Sequence, residues 1–360
     1  MLKLLFASII SASPLQQRPL FSPEDRLIST SEGQSEWMSE MQIFELYKNN
    51  VKFIDITDGE FEFLEQHASM NIASNPDIAN KLIENIDTNR MEEFLTAFSG
   101  FHTRYFKSDS GKESSQWLYD QLESLPEQHP RDDVKFTVSK VIHDWKQFSV
   151  IARFESVESE KQDIVVLSAH QDSVNQWNPW FGRSPGADDD GSGTTTIFEA
   201  LTVLWNHGFV PKRPLEFHFY SAEEGGLLGS QKVVAKYVKE KIPVYAVFHN
   251  DMTGYQPEDS KPIVAVNTDN VNGPLTKTFE MIATTYAGVP WEYTKCGYAC
   301  SDHASWTKAG IPSTFTFEAK FEKHSPFIHT TQDTVEHIDF KHMSSFVNNV
   351  IGFAVELSYY

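Results

Sequence analysis

From residue 164 onward the chain alternates short apolar runs with amphipathic stretches, and this alternation limits the possible folds more than any other feature. Ile164-Val165-Val166-Leu167 is apolar throughout, as suits a strand covered on both faces. Thr195 to Trp205 then carries apolar residues at helical spacing. Leu215 to Tyr220 reads as a strand, Leu227 to Val238 as a helix, and Val244 to Phe248 and Ile263 to Val266 as strands. A helix over Leu275 to Tyr286, a strand over Ser313 to Phe317 and a helix over Phe340 to Leu357 close the series. Upstream, Ile78 to Ile86, Met91 to Phe98 and Ser114 to Leu125 predict helices, and Phe136 to Val141 and Phe148 to Phe154 predict paired strands. Strands alternating with helices predict an α/β domain whose mostly parallel central sheet is flanked by helices on both faces. In such sheets ligands bind outside the carboxyl ends of the strands.

Those ends carry the chemistry. Behind the first apolar run stands Ser168-Ala169-His170-Gln171-Asp172, and behind Leu215 to Tyr220 stands Ser221-Ala222-Glu223-Glu224-Gly225-Gly226. Val244 to Phe248 is followed by His249-Asn250-Asp251-Met252. Between the first two strands, Gly186-Ala187-Asp188-Asp189-Asp190-Gly191 sets three aspartates in a row between glycines. Carboxylates this close repel, and burial worsens the cost unless a cation compensates. Phe327 to Thr334 places His329 in a polar loop. Each piece alone is weak, since an isolated Asp-rich turn is commonly solvated. Together they offer two imidazoles and several carboxylates on one sheet edge. That donor mix suits Zn²⁺, with Co²⁺ and Mn²⁺ as chemical substitutes.

The chain has 30 Lys and Arg against 50 Asp and Glu, a formal charge of −20, which argues against nucleic acid as a partner. Lys3, the apolar run Leu4 to Ile10 and the small residues Ser11-Ala12-Ser13 read as a signal peptide over 1–13. No later stretch approaches the roughly 20 apolar residues of a membrane span. The expected destination is extracellular, with no membrane association. Residues 14–74 carry more acidic than basic side chains and read as a propeptide. Within them Ser29 to Glu36 looks loop-like, Met38 to Lys48 helical and Val51 to Ile56 extended. The catalytic domain then spans 75–360. Cys296 and Cys300 are the only cysteines. In an oxidising compartment they read as a local disulfide, and a zinc-binding pair is the alternative.

The segments S-A-H-Q-D-S, P-G-A-D-D-D-G-S-G, S-A-E-E-G-G-L-L-G-S, N-D-M-T-G-Y, C-G-Y-A-C-S-D-H-A-S-W and I-H-T-T-Q-D-T resemble, in order and spacing, those of the secreted leucyl aminopeptidases, two-zinc exopeptidases of bacteria and fungi. The likeness runs from about Ile78 to the C-terminus, and Phe53 to Asp58 is similar to the propeptides of fungal members. The resemblance implies two Zn²⁺ per subunit. Asp189 would bridge them, with His170 and Asp251 on one and Glu224 and His329 on the other. Glu223 would be general base and acid, Asp172 would orient His170, and Tyr298 would stabilise the oxyanion. Met252, Phe317, Phe321 and Ile328 would line the side-chain pocket. It also implies a cis peptide at Asp189-Asp190. The disulfide loop of Cys296 and Cys300 would hold Tyr298. His324 departs from the pattern, standing where bacterial members have an aromatic pocket residue. The expected activity is hydrolysis of the N-terminal peptide bond after a bulky apolar residue such as leucine. The expected state is a monomer whose propeptide acts as intramolecular inhibitor or folding aid. A carboxypeptidase or an N-acyl amino acid hydrolase is the alternative on the same scaffold.

Overall fold

The described residues form two sheets. The computed structural model describes residues 25–31, 34–49, 51–57, 74–159 and 161–360, so the signal sequence read over 1–13 and parts of the propeptide read over 14–74 lie outside the described residues. In the smaller sheet β1 (Arg26–Ser31) pairs antiparallel with β2 (Gln34–Met38) on one edge and with the two-residue β3 (Ile54–Asp55) on the other. Between β2 and β3 in sequence lies α1 (Glu40–Lys48). It opens at a capping box, in which the Ser39 side chain accepts from the Gln42 backbone N–H and the Gln42 side chain accepts from that of Ser39.

Three expectations are corrected here. Of the stretch Ser29 to Glu36, residues 29–31 and 34–36 are paired antiparallel strands rather than loop. Its polar β2 shows no alternation, and the tertiary burial of Ile28 is what holds β1 in place. Met38 ends β2 instead of starting the helix. The extended stretch Val51 to Ile56 pairs only at Ile54–Asp55, because Val51 and Lys52 turn into a cavity of the larger domain.

That domain begins with α2 (Pro76–Ile83), α3 (Thr88–Ser99) and α4 (Asp109–Gln128), capped by Asp87 and Ser108 at α3 and α4. Next come β4 (Val134–Val141), β5 (Ser149–Ser156), β6 (Ile164–His170) and α5 (Gly193–Asn206), then β7 (Leu215–Tyr220), α6 (Leu228–Glu240) and β8 (Val244–Asn250). The chain ends through β9 (Val264–Asn267), α7 (Gly273–Tyr286), β10 (Trp291–Thr294), α8 (His303–Lys308), β11 (Ser313–Phe317) and α9 (Phe340–Tyr359). β10 and α8 are unforeseen additions, too short for their periodicity to stand out.

The eight strands are ordered β10-β9-β11-β8-β6-β7-β5-β4. Pairing is parallel for β10–β9, β11–β8, β8–β6 and β6–β7, and antiparallel for β9–β11, β7–β5 and β5–β4. The sheet is thus mixed and mostly parallel. β6 and β7 are buried at every residue, and alternate side chains serve opposite faces. Val165, Leu167 and Ala169 join the large core made with α2, α3, α5, α7 and α9. Ile164 and Val166 join a second core made with α6 and α8. Helices therefore cover both faces. β7 and β8 flank β6 on opposite sides, so the carboxyl end of β6 is a topological switch point, where a crevice must open.

Gly229 lets α6 sit against the end of β7. A Cβ there would lie 1.8 Å from the Ser221 carbonyl oxygen, which is backbone and cannot swing aside. Gly229→Ala should therefore cost about 2–3 kcal/mol. Calorimetry should show a fall in Tm of roughly 3–5 °C; an unshifted transition would mean that α6 moves freely.

Candidate active site

The five expected metal donors meet at the switch point, all buried. His170 ends β6, Asp251 follows β8, and Glu224 lies in the turn after β7. Asp189 sits in the irregular turn Ala187–Ser192 ahead of α5, and His329 comes from the loop before α9. His170 Nε2 is 3.1 Å from Asp189 Oδ1 and 3.6 Å from Asp251 Oδ1. His329 Nε2 is 2.9 Å from Asp189 Oδ2 and 3.1 Å from Glu224 Oε2. Asp189 thus turns one oxygen to each histidine. The atoms fall into two groups, His170/Asp189/Asp251 and Asp189/Glu224/His329, each with its donor atoms within 4.8 Å of one another. The Asp189–Asp190 peptide is cis.

These donors fit a metal. Both ring nitrogens of His170, Glu224 Oε1 and Asp251 Oδ1 are buried without a hydrogen-bond partner. Buried polar atoms are rarely left so, because each costs its desolvation energy. Imidazole and carboxylate without thiolate are the donors Zn²⁺ takes in hydrolytic sites.

The neighbours of the donors do separate work. Asp172 places Oδ1 at 3.4 Å from His170 Nδ1. Its two oxygens also accept from the backbone N–H groups of Glu223 at 3.0 Å and Glu224 at 3.2 Å, so one carboxylate aligns the ends of β6 and β7. Asp190 accepts from the N–H groups of His170, Gly193 and Met252. Asp188 accepts from Gly254 and Tyr255, and Asp333 accepts from Asp188 and Asp189. Of the three consecutive aspartates, only Asp189 keeps its oxygens for the donor groups. Arg104 is wholly buried. It donates to the carbonyl oxygens of Gln171 at 2.8 Å and Gly186 at 2.7 Å, and to that of Pro185. Burial lowers its pKa to about 10, against the opposing pull of Asp333, Asp190, Asp172 and Asp189. Gly186 is left-handed at φ 53°, and a Cβ there would meet Arg104 Nη2 at 2.8 Å.

The sequence assigns no role to the Asp190 or Asp333 side chains or to Arg104. The first two stand inside quoted motifs, a position that could have drawn notice. Arg104 lies in Thr103-Arg104-Tyr105, with no local signal, since its partners are 67 to 82 residues away.

Beside the donors opens a cavity of about 370 Å³. Glu223, Tyr298, Met252, Phe317, Phe321 and Ile328 all line it, as do His324 and Cys300. The His324 ring packs 5.3 Å from that of Phe321, and its Nδ1 lies 2.9 Å from the Ser325 carbonyl oxygen. Cys296 and Cys300 form a disulfide, so the zinc-pair alternative falls away. Asp269 accepts from the backbone N–H groups of Cys296 and Gly297, tying down the loop that presents Tyr298. Arg183 is exposed and absent from the cavity lining.

Among the described residues, the cation at this cavity comes from the N-terminal segment. Lys52 Nζ lies 3.2 Å from His329 Nε2. Burial lowers the pKa of this ammonium, but Tyr298, Glu224, Asp189 and Glu223 outweigh it and hold it above its usual value. Tyr47 donates to the Glu224 carbonyl oxygen, and Asp55 N–H to that of Gly226 at 3.2 Å.

Two buried groups of anionic and imidazole donors should make folding sensitive to metal. Zinc in large excess over its dissociation constant should stabilise chelator-treated protein by about 4 kcal/mol. Differential scanning fluorimetry reads this as a higher Tm. Asp189→Asn, which weakens both groups at once, should remove most of the rise, and a Tm indifferent to zinc would reject the fit.

The sequence profile of peptidase family M28 matches residues 149–354. Leucine aminopeptidase 1 of Emericella nidulans is 42% identical over 352 residues, covering 93% of this chain and 89% of the relative. Among solved structures, the LapA aminopeptidase of Legionella pneumophila superposes with a TM-score of 0.81 at 29% identity, covering 94% of this chain and 95% of that one. A zinc aminopeptidase from Bacillus subtilis shares the fold at a TM-score of 0.61 and 18% identity, covering 75% and 95%. With its metal-donor constellation at the switch point of a mixed sheet, the chain is a member of peptidase family M28.

Proposed function

We propose that the protein is a secreted two-zinc aminopeptidase that releases bulky apolar residues, such as leucine, from peptide N-termini. The observation that carries this reading is the meeting of two donor groups on a shared Asp189, beside a cavity with Glu223 on its rim and apolar side chains on its wall. The relatives named leucine aminopeptidase support the substrate class. The signal sequence read over 1–13 and the disulfide support secretion. Among the described residues no helix is long and apolar enough to cross a membrane.

His170 and Asp251 would hold one zinc, Glu224 and His329 the other, and Asp189 both. When bound, zinc acidifies a water and polarises the scissile carbonyl. Glu223 takes the water's proton on its carboxylate and returns it to the leaving amine. Burial raises its pKa, as do Glu224, Asp302 and Asp251 against the lowering pull of His170, which suits a group that must both accept and donate. Asp172 keeps Glu223 and His170 in register through the contacts described above. Burial raises the Tyr298 hydroxyl to about 12, so it stays protonated and donates to the developing oxyanion. The substrate side chain enters among Met252, Phe317, Phe321 and Ile328. Burial lowers the His324 pKa, which keeps that part of the wall uncharged.

A carboxypeptidase or N-acyl amino acid hydrolase needs a free cation to hold a substrate carboxylate. Arg104 has committed its donors to backbone carbonyls, and Arg183 stands outside the cavity. Among the described residues Lys52 is the remaining cation at the lining, and it belongs to the segment read as propeptide. Its residues Thr30, Val51 and Lys52 line the approach to the donors, and the segment restrains the enzyme until it is removed.

Two experiments test these roles. Glu223→Gln keeps shape but cannot accept a proton, so kcat should fall by about 10²–10⁴ with zinc content unchanged. Glu224→Gln should instead weaken zinc binding and regain activity with added zinc. Near-normal turnover by Glu223→Gln would move the base elsewhere. Separately, unprocessed protein should hydrolyse a leucyl amide more slowly than processed protein, and Lys52→Ala in the unprocessed chain should recover part of the rate. Equal turnover of both forms would reduce the segment to a folding aid.

A further inference from the structure

The loop between β6 and the Ala187–Ser192 turn holds three large aromatic rings toward water. Trp177 is 61% exposed, Trp180 36% and Phe181 82%. So much clustered apolar surface marks a contact site rather than scattered exposure. The loop backbone is nevertheless firmly tied. Asn175, itself buried, accepts from the N–H groups of Trp177 and Asn178 at 3.0 and 3.1 Å and donates to the Arg183 carbonyl oxygen at 2.8 Å. Asn178 accepts from Phe181 N–H at 3.2 Å, and Gly182 N–H donates to the Asn178 carbonyl oxygen at 2.7 Å. The polar side chains of this loop fix its path and leave the rings outside.

Its position relates it to the reaction. Gln176 N–H donates to the His329 carbonyl oxygen at 2.9 Å, so the aromatic shelf starts one residue from the backbone of a proposed zinc ligand. The N-terminal segment already displays a suitable occupant. Phe44 of α1 rests on Trp180 with ring centroids 5.0 Å apart, and eight residues later Lys52 reaches His329. Polypeptide thus runs from the shelf to the donor groups. The helical part from Phe44 to Lys48 rises about 6 Å. The four residues from Lys48 to Lys52 can span at most about 14 Å. An extended peptide whose first residue is at the donors covers that span in about six residues. Removal of the N-terminal segment would uncover Trp180.

We infer that Trp177, Trp180 and Phe181 form a subsite for an apolar or aromatic side chain of the peptide substrate, about two to five residues beyond the scissile bond. The subsite would favour longer peptides by binding and leave the chemical step alone. The inference rests on the aminopeptidase reading. An offset or tilted aromatic pair beyond simple burial is worth about three- to tenfold in affinity.

The test uses processed, zinc-loaded enzyme and five leucyl hexapeptides, one with glycine at every later position and four with a single phenylalanine at position three, four, five or six. At its best position phenylalanine should lower KM about three- to tenfold with kcat unchanged. The double variant Trp180→Ala, Phe181→Ala should abolish the ratio between that peptide and the all-glycine one, while Trp180→Phe should retain it. General damage to the fold would lower kcat for both peptides and leave their ratio standing, which would overturn the subsite. So would equal KM values in the unaltered enzyme, or a double variant that changes only the sedimentation behaviour, as for a face between two copies. Failure to cleave a leucyl anilide would reject the aminopeptidase reading alone. Quenching of tryptophan emission by the phenylalanine peptide, and not by the all-glycine peptide, would then still decide the shelf.

Discussion

Concentrated negative charge in a dry place is the constraint on which the structure depends. Asp172, Asp188, Asp189, Asp190, Glu224, Asp251 and Asp333 are all buried around one sheet edge. An uncompensated carboxylate in low dielectric costs several kcal/mol, so such a cluster persists only where each oxygen has a donor or a cation. Backbone N–H groups answer most of them. They come from strand ends and turns that would otherwise carry unmet donors themselves. The same bonds that neutralise Asp172, Asp190 and Asp333 hold His170, Glu223, Glu224 and Asp189 in position. The site is thus supported by the means that make it tolerable. Arg104 adds a buried guanidinium at this edge, directing its donors to carbonyl oxygens of the two loops that meet beside Asp189.

Sheet topology supplies the place. Because β7 and β8 lie on opposite sides of β6, their connections leave over opposite faces and part at the carboxyl end of β6. Side chains from four separate loops can then converge without competing for one turn. The cavity wall is made differently. Met252, Phe315 and Phe317 pack in a small core of their own, with Phe321, Ile328 and the disulfide against it. An apolar wall facing a charged floor is an arrangement that accepts a substrate with a polar end and a greasy side chain.

The N-terminal segment meets this arrangement with matching chemistry. Lys52 brings a positive charge to the carboxylates, and Phe44 brings a ring to Trp180. Arg26 and Asp55, paired at 3.0 Å, anchor the small sheet to the turn after β7, where Arg26 also donates to the Gly225 carbonyl oxygen. On the proposed function, a segment that presents both a cation and an aromatic ring there would compete for the surfaces a peptide substrate would use.

Much of this was legible in the sequence, for local reasons. Apolar runs such as Ile164 to Leu167 can be satisfied only when covered on both sides, so the α/β class and the position of each main strand follow from periodicity alone. Placing His, Asp or Glu directly after those runs brings them to one edge, because parallel strands share a direction. His170, the Glu223–Glu224 pair and Asp251 were readable as donor candidates for that reason, as the Asp188–Asp190 run and His329 were from their charge and loop placement, whereas the ligand role of each came from the resemblance of the motifs. Tertiary structure decided the rest. Nothing near Arg104, Lys52 or Phe44 in the chain announces what they touch, since their partners lie tens to hundreds of residues away. The different tasks of Asp188, Asp189 and Asp190 are equally invisible in a run of three identical residues. Each is assigned by which backbone donors the folded loops bring to its oxygens, and that depends on long-range packing rather than on neighbours in sequence.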